Sequence, residues 1–168
     1  MPGLLWYRNR EERVVDFQLN LKSEPIGQVY SVDPVTASPS QSLREVIDLL
    51  ASAKQGCALI CESDRLVGLF TERDVVSLMT SAADLEQPVS TVMTETPVTV
   101  QSTDSVAIAI TRMSSGGYRQ LPVVDEQNKP LGLLKVSCIL NYFVEHFPAT
   151  IYTLPPEPDQ VPTTREGA

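Results

Sequence analysis

Thr71 and Asp74 lie three residues apart, just after the apolar run Leu66 to Phe70. An ionised carboxylate offers two acceptor oxygens and can take a pair of adjacent hydroxyls in charge-assisted hydrogen bonds. The same Thr-x-x-Asp spacing is a near-match to a helix capping box, in which the hydroxyl caps the helix and the acid favours its dipole. The two roles are compatible. Arg119 supplies a planar guanidinium fork suited to an oxyanion; its ordinary alternative is a surface ion pair worth little. The remaining reactive side chains offer no catalytic set. Cys57 and Cys61 are four apart in a strand-like run, about 13 Å at strand rise. That is too far for a disulfide or for two ligands of one zinc, so core thiols are expected and no metal site. His146 is the sole histidine and sits near Pro148 at the end of the last helical pattern. No Ser/His/Asp or Cys/His constellation can be built around it.

The elements that must position these residues occur twice. Pro34-Val35-Thr36 returns as Pro97-Val98-Thr99, Ser42 as Ser105, and Leu43, Val46, Ile47 and Leu50 as Val106, Ala109, Ile110 and Met113, all 63 positions apart. One residue later in register, Gly68-Leu69 returns as Gly132-Leu133. A repeat on this scale is one structural unit used twice, with a seam between the copies. In the first copy, Ile26 to Tyr30 is a short apolar lead-in. Leu43, Val46, Ile47 and Leu50 follow i, i+3, i+4, i+7, one apolar helical face, with Gly56 ending the helical region. Cys57 to Cys61 reads as a buried strand, Glu62 to Arg65 as a turn, Leu66 to Phe70 as a strand, and Thr71 opens a helix to about Met79. The second copy predicts a helix from Ser105 to about Met113 broken at Gly116-Gly117. Strands at Leu121 to Val124 and Leu131 to Leu134 follow, then a helix from Val136 to Val144. Outside the repeats, Val15, Phe17, Leu19 and Leu21 alternate with polar residues as a half-buried strand would. The proline-rich stretch from about residue 154 onward reads as disordered.

The expected organisation is an N-terminal arm over 1–25, repeats over 26–82 and 83–147, and a largely disordered tail over 148–168. Each repeat is near the size at which a core alone is marginal, so the two are expected to pack together. The chain has 168 residues, net charge -8 and three cysteines. With no basic stripe, a duplex nucleic-acid partner is not expected, nor an anionic membrane surface. The odd cysteine count fits a reducing cytoplasm. The absence of a long apolar run or a signal-peptide pattern points to a soluble, non-exported protein.

With Gly68-Leu69-Phe70-Thr71-Glu72-Arg73-Asp74 closing the first copy and Tyr118-Arg119-Gln120-Leu121-Pro122-Val123-Val124-Asp125 in the second, the layout over residues 26–147 resembles the tandem CBS-domain pair, or Bateman module. The resemblance implies an α/β (α+β) fold of two pseudo-symmetric β-α-β-β-α repeats packed sheet to sheet. It implies a regulatory, non-enzymatic module that binds an adenosyl compound (AMP, ADP, ATP or S-adenosylmethionine) between the repeats and signals through a partner or a homodimer. Such dimers form through helices, here around Val75-Val76-Met79 and Ile139-Leu140-Phe143. Carried over, Thr71 and Asp74 hold the ribose, Val98, Thr99, Val100 and Tyr118 form the base pocket, and Arg119 with Arg73 meets phosphate. The mirror site takes Lys135 and Cys138 with Val35, Thr36, Ala37, Gly56, Cys57 and Ala58. There Asp has become Cys138, Thr has become Lys135, and the position matching Arg119 is Gly56. A thiol is a poor substitute for a carboxylate on a diol, so one competent and one degenerate site are expected. The alternative is a ligand-free interaction module with a decayed pocket.

Overall fold

The computed structural model describes residues 21–30, 33–81 and 83–146. The expected arm strand lies outside them except for Leu21, which is helical and packs on the second repeat; the expected disordered tail lies outside them entirely. The first repeat contributes β1 (Val35–Ala37), α1 (Leu43–Ala53), β2 (Cys57–Glu62), β3 (Arg65–Thr71) and α2 (Glu72–Ser81). The connection adds β4 (Thr94–Glu95), and the second repeat gives β5 (Val100–Gln101), α3 (Val106–Gly116), β6 (Gln120–Val124), β7 (Pro130–Lys135) and α4 (Val136–His146). The sheets run β1-β2-β3-β4 and β5-β6-β7. In each, a parallel pair (β1 with β2, β5 with β6) is followed by an antiparallel one. A register shift falls at Ile60/Cys61 in one sheet and at Val123/Val124 in the other, again 63 positions apart.

Local chemistry sets these boundaries. Ser42 caps α1 with a complete capping box: its Oγ accepts from Glu45 N (3.3 Å), and Glu45 Oε2 accepts from Ser42 N (2.9 Å). Ser105 repeats only half of it, accepting from Ile108 N at 3.4 Å, because Ile108 has no carboxylate to return the bond. The C-terminal cap of α1 is Lys54 in the left-handed region (φ 52°), two residues before the Gly56 expected to stop the helix. Gly117 (φ 66°) ends α3 as expected. The β2–β3 turn is the two-residue pair Ser63-Asp64, both with positive φ, a geometry whose twist suits a tight hairpin.

Each sheet buries both faces, and period-2 alternation sorts the side chains. Along β2, Ala58 and Ile60 pack with Leu43, Val46, Leu50 and Phe70 under the first repeat's own helices. Cys57 and Leu59 point the other way and meet Leu66, Val124 and Leu133 in a third cluster shared by both repeats. The two repeats therefore pack sheet to sheet, as the repeat's size demanded.

A feature absent from the sequence reading ties them further. Ile26 and Val29, at the head of the first repeat, are buried in the core of the second, against Val100, Val106 and Leu121. Val89, 63 positions on, is buried in the core of the first. The bridges Pro25–Ser105 and Pro88–Ser42 are images of one another under the repeat. Ile26 N donates to Asp104 O (2.9 Å) and Val89 N to Gln41 O (2.8 Å). β4 continues the exchange by joining β3 of the first sheet. Ile26→Ala should therefore destabilise the whole chain by about 2–5 kcal/mol, the range for a buried aliphatic truncation. Urea unfolding should show one cooperative transition at lower midpoint, with no separate early loss of the first repeat.

Candidate functional site

A cleft of about 370 Å³ opens between the repeats, within the range typical of small-ligand sites. One wall comes from the junction of β3 and α2, with Thr71, Glu72, Arg73 and Asp74. The other comes from the inter-repeat connection and the α3–β6 corner, with Val98, Tyr118 and Arg119. The exchanged connection is what carries Thr94, Thr96, Pro97 and Val98 to this edge. Thr96 makes the bend in the left-handed region (φ 48°).

Asp74 is half-buried and partly committed. Its Oδ2 accepts from Thr71 N (2.7 Å) and from Thr71 Oγ1 (2.8 Å). The capping reading of Thr-x-x-Asp is thus realised in one direction only: the acid caps the threonine, and the hydroxyl donates to the acid. Oδ1 makes no hydrogen bond among the described residues, so the carboxylate presents one unspent oxygen held in a fixed orientation. The guanidinium groups of Arg73 and Arg119 likewise make no hydrogen bond or ion pair among the described residues. Arg119 uses its carbonyl to accept from Val136 N (3.0 Å), the counterpart of Gly56 O accepting from Glu72 N (3.1 Å).

Of the base-pocket candidates, Val98 and Tyr118 line the cleft and are each a little over 40% exposed. Thr99 and Val100 do not line it. Val100 is fully buried in the second repeat's core, because β5 begins there and turns that side chain inward. Thr99 offers its carbonyl to Arg112 Nη1 (2.6 Å), which also pairs with Asp104 (3.0 Å). Tyr118 lies so close over Gly116 that a side chain at 116 would collide with its ring; glycine there lets the ring fold back on the end of α3.

Of the mirror-site candidates Gly56 alone lines this cleft, and Val35 packs on the first repeat's core. Ala37, Cys57 and Ala58 are buried, Thr36 is exposed on β1, Lys135 is half-exposed at the end of β7, and Cys138 packs on the second repeat's core. Burial pushes the Cys57 thiol up to about 12, with Lys135 opposing and Asp74 reinforcing the shift, and burial raises Cys61 as well. Among the described residues no cluster of three or more His, Cys, Asp or Glu is arranged for a metal ion.

Sequence reasoning missed Glu72, Leu69, Thr94, Thr96, Pro97, Gly117, Gln120 and Leu121 as lining residues. Glu72 had a signal available, since it sits inside the Thr-x-x-Asp segment itself. The connection had none, because its place depends on β4 joining a sheet that precedes it.

Two exchanged β-α-β-β-α repeats with a cleft at their seam define a paired-repeat architecture. The chain belongs to the CBS domain family: the family model matches residues 26–81 and again 89–145. An uncharacterized protein of Methanopyrus kandleri is 28% identical over 71% of this chain, which spans 63% of that protein's length. The inosine-5'-monophosphate dehydrogenase of Escherichia coli is 32% identical over 74% of this chain, but the chain spans only 25% of that enzyme. Among solved structures, a CBS domain protein from Pyrobaculum aerophilum complexed with AMP superposes with a TM-score of 0.66 at 24% identity, covering 76% of this chain and 95% of that one.

The Cys57 shift carries a pH dependence. The unfolded chain loses this proton near the ordinary value of 9.0, the folded one only near 12. Stability from this group is therefore intact below about 9 and declines as pH rises toward 12, by up to about 1.4 kcal/mol per pH unit. Chemical denaturation between pH 8 and 11 should show a steeper decline for the parent than for Cys57→Ala.

Proposed function

We propose that the chain is a non-enzymatic regulatory module that binds an adenosyl compound (AMP, ADP, ATP or S-adenosylmethionine) in the cleft between its repeats. The observation that carries this is the convergence of Thr71 and Asp74 from one repeat with Val98, Tyr118 and Arg119 from the other around a single cavity. The open oxygen of Asp74 takes a ribose hydroxyl. Val98 and Tyr118 flank the base, and Arg119 with Arg73 meets the phosphate. The mirror set around Lys135 and Cys138 is degenerate. The AMP carried by the Pyrobaculum aerophilum protein supports the ligand class. A ligand that spans both walls favours one relative arrangement of the repeats, and shifts the equilibrium only by its differential affinity for the two.

The output passes to a protein partner or through a homodimer in the cytoplasm, with no nucleic acid or membrane engaged. Among the described residues no helix is long and apolar enough to cross a membrane. The dimer face lies on α2 and α4. Ile139 is buried, and Val75 and Phe143 pack against the cores, so the exposed apolar surface of these helices is Val76, Met79, Val136, Leu140 and Val144. Light scattering should give twice the 18.5 kDa chain mass for the parent and the single mass for Met79→Asp/Leu140→Asp.

Thermal shift with the four adenosyl compounds tests the ligand. At a hundredfold its dissociation constant a ligand adds about 2.7 kcal/mol. Asp74→Ala should abolish the shift and Cys138→Ala should keep it. Since Asp74 also holds Thr71, Asp74→Asn accompanies it as the isosteric variant. The second reading, a ligand-free interaction module, is favoured by the hydrogen bonds Asp74 already receives from Thr71. It predicts no shift at millimolar levels of any of the four.

A further inference from the structure

Glu72 lines the same cleft as Arg73, Asp74 and Arg119, so the two guanidinium groups there are matched by two carboxylates. Glu72 is exposed at the start of α2. Its carboxyl lies against Gly56, with Cδ and Oε2 3.0 Å from where a Cβ on residue 56 would stand, so a side chain at 56 would push it aside. Its backbone N is tied to the Gly56 carbonyl (3.1 Å). Among the described residues no cation pairs with its side chain, whereas Glu86 and Asp64 are paired with Arg44 and Lys129. The counterpart of Glu72 in the second repeat is Val136, and that of Gly56 is Arg119. The acid and the gap that admits it thus occur together in the first repeat alone. A cleft meant to gather several phosphates would leave its arginines unopposed. This one sets an unpaired carboxylate beside them, on a chain of net charge -8.

We propose that Glu72 makes the cleft a charge filter, which accepts adenosyl compounds bearing one phosphate or a cationic group and rejects polyphosphates. The inference rests on the adenosyl-binding reading above and adds to it which ligands are excluded and by which residue. Each added phosphate brings negative charge into the half-open space that Glu72 faces, where like charges repel well above the bulk-water level. The repulsion is strongest at low ionic strength.

Equilibrium titration of AMP, ATP and S-adenosylmethionine, without divalent cations, tests it on the full chain and on Glu72→Gln. The parent should bind AMP and S-adenosylmethionine at least about tenfold more tightly than ATP. Glu72→Gln should narrow the AMP-to-ATP gap several-fold, chiefly by improving ATP, and added salt should narrow it in the parent but little in the variant. ATP binding as tightly as AMP in the parent, or an unchanged ratio in Glu72→Gln, overturns the filter while leaving the adenosyl site standing. Failure of all three compounds to bind either protein removes the site and the filter together. The melting temperature of ligand-free Glu72→Gln, expected close to the parent's, guards against a folding artefact.

Discussion

The structure depends on a reciprocal exchange of two apolar anchors. Ile26 belongs by sequence to the first repeat and by packing to the second, and Val89 reverses the relation. Each is fully buried, and each is followed by backbone bonds into the neighbouring unit. A unit of roughly 60 residues buries too small a share of its surface to be comfortably stable alone. The exchange removes that difficulty by making each core incomplete without a piece of the other repeat. It also brings the inter-repeat connection across the seam, and that connection supplies one wall of the cleft.

The cleft owes its character to small departures from symmetry. The two copies agree closely where they pack, down to the position of the strand irregularity. They disagree where β3 and β7 run into their helices. Thr71 and Asp74 make a polar, mutually bonded corner, whereas Lys135 and Cys138 make none. The disagreement at Gly56 and Arg119 is as consequential. In one copy the missing side chain makes room for an acid from α2, and in the other a long guanidinium reaches into the shared space.

Much of this was legible in the sequence. The apolar face of α1, the buried run of β2, the turn at Glu62 to Arg65 and the helix break at Gly116-Gly117 follow from periodicity and turn chemistry, because those signals are local. Val98, Tyr118, Thr71, Asp74, Arg73 and Arg119 were drawn to one place by the family resemblance, and the cleft is lined by all six. Thr99 and Val100 do not line the cleft, because β5 begins at Val100 and that side chain turns into the second repeat's core. The cap at Lys54 was missed because glycine is the usual left-handed residue there. The anchors and β4 were invisible, since an exchange between equivalent units leaves each segment's hydrophobic pattern unchanged.

At the far end of the seam from the cleft, the two β-turns clasp one another. Leu66 N donates to Asn128 O (2.9 Å), and Asn128 Nδ2 returns a bond to Leu66 O (2.7 Å). Lys129 reaches Asp64 beside them (3.3 Å). β3 runs from this clasp to Thr71 at the cleft, about 17 Å away at strand rise. The seam is thus tied by backbone and side-chain bonds at one end and open as a cleft at the other. On an arm of that length, each 1 Å of separation at the cleft corresponds to a rotation of only about 3° about the clasp.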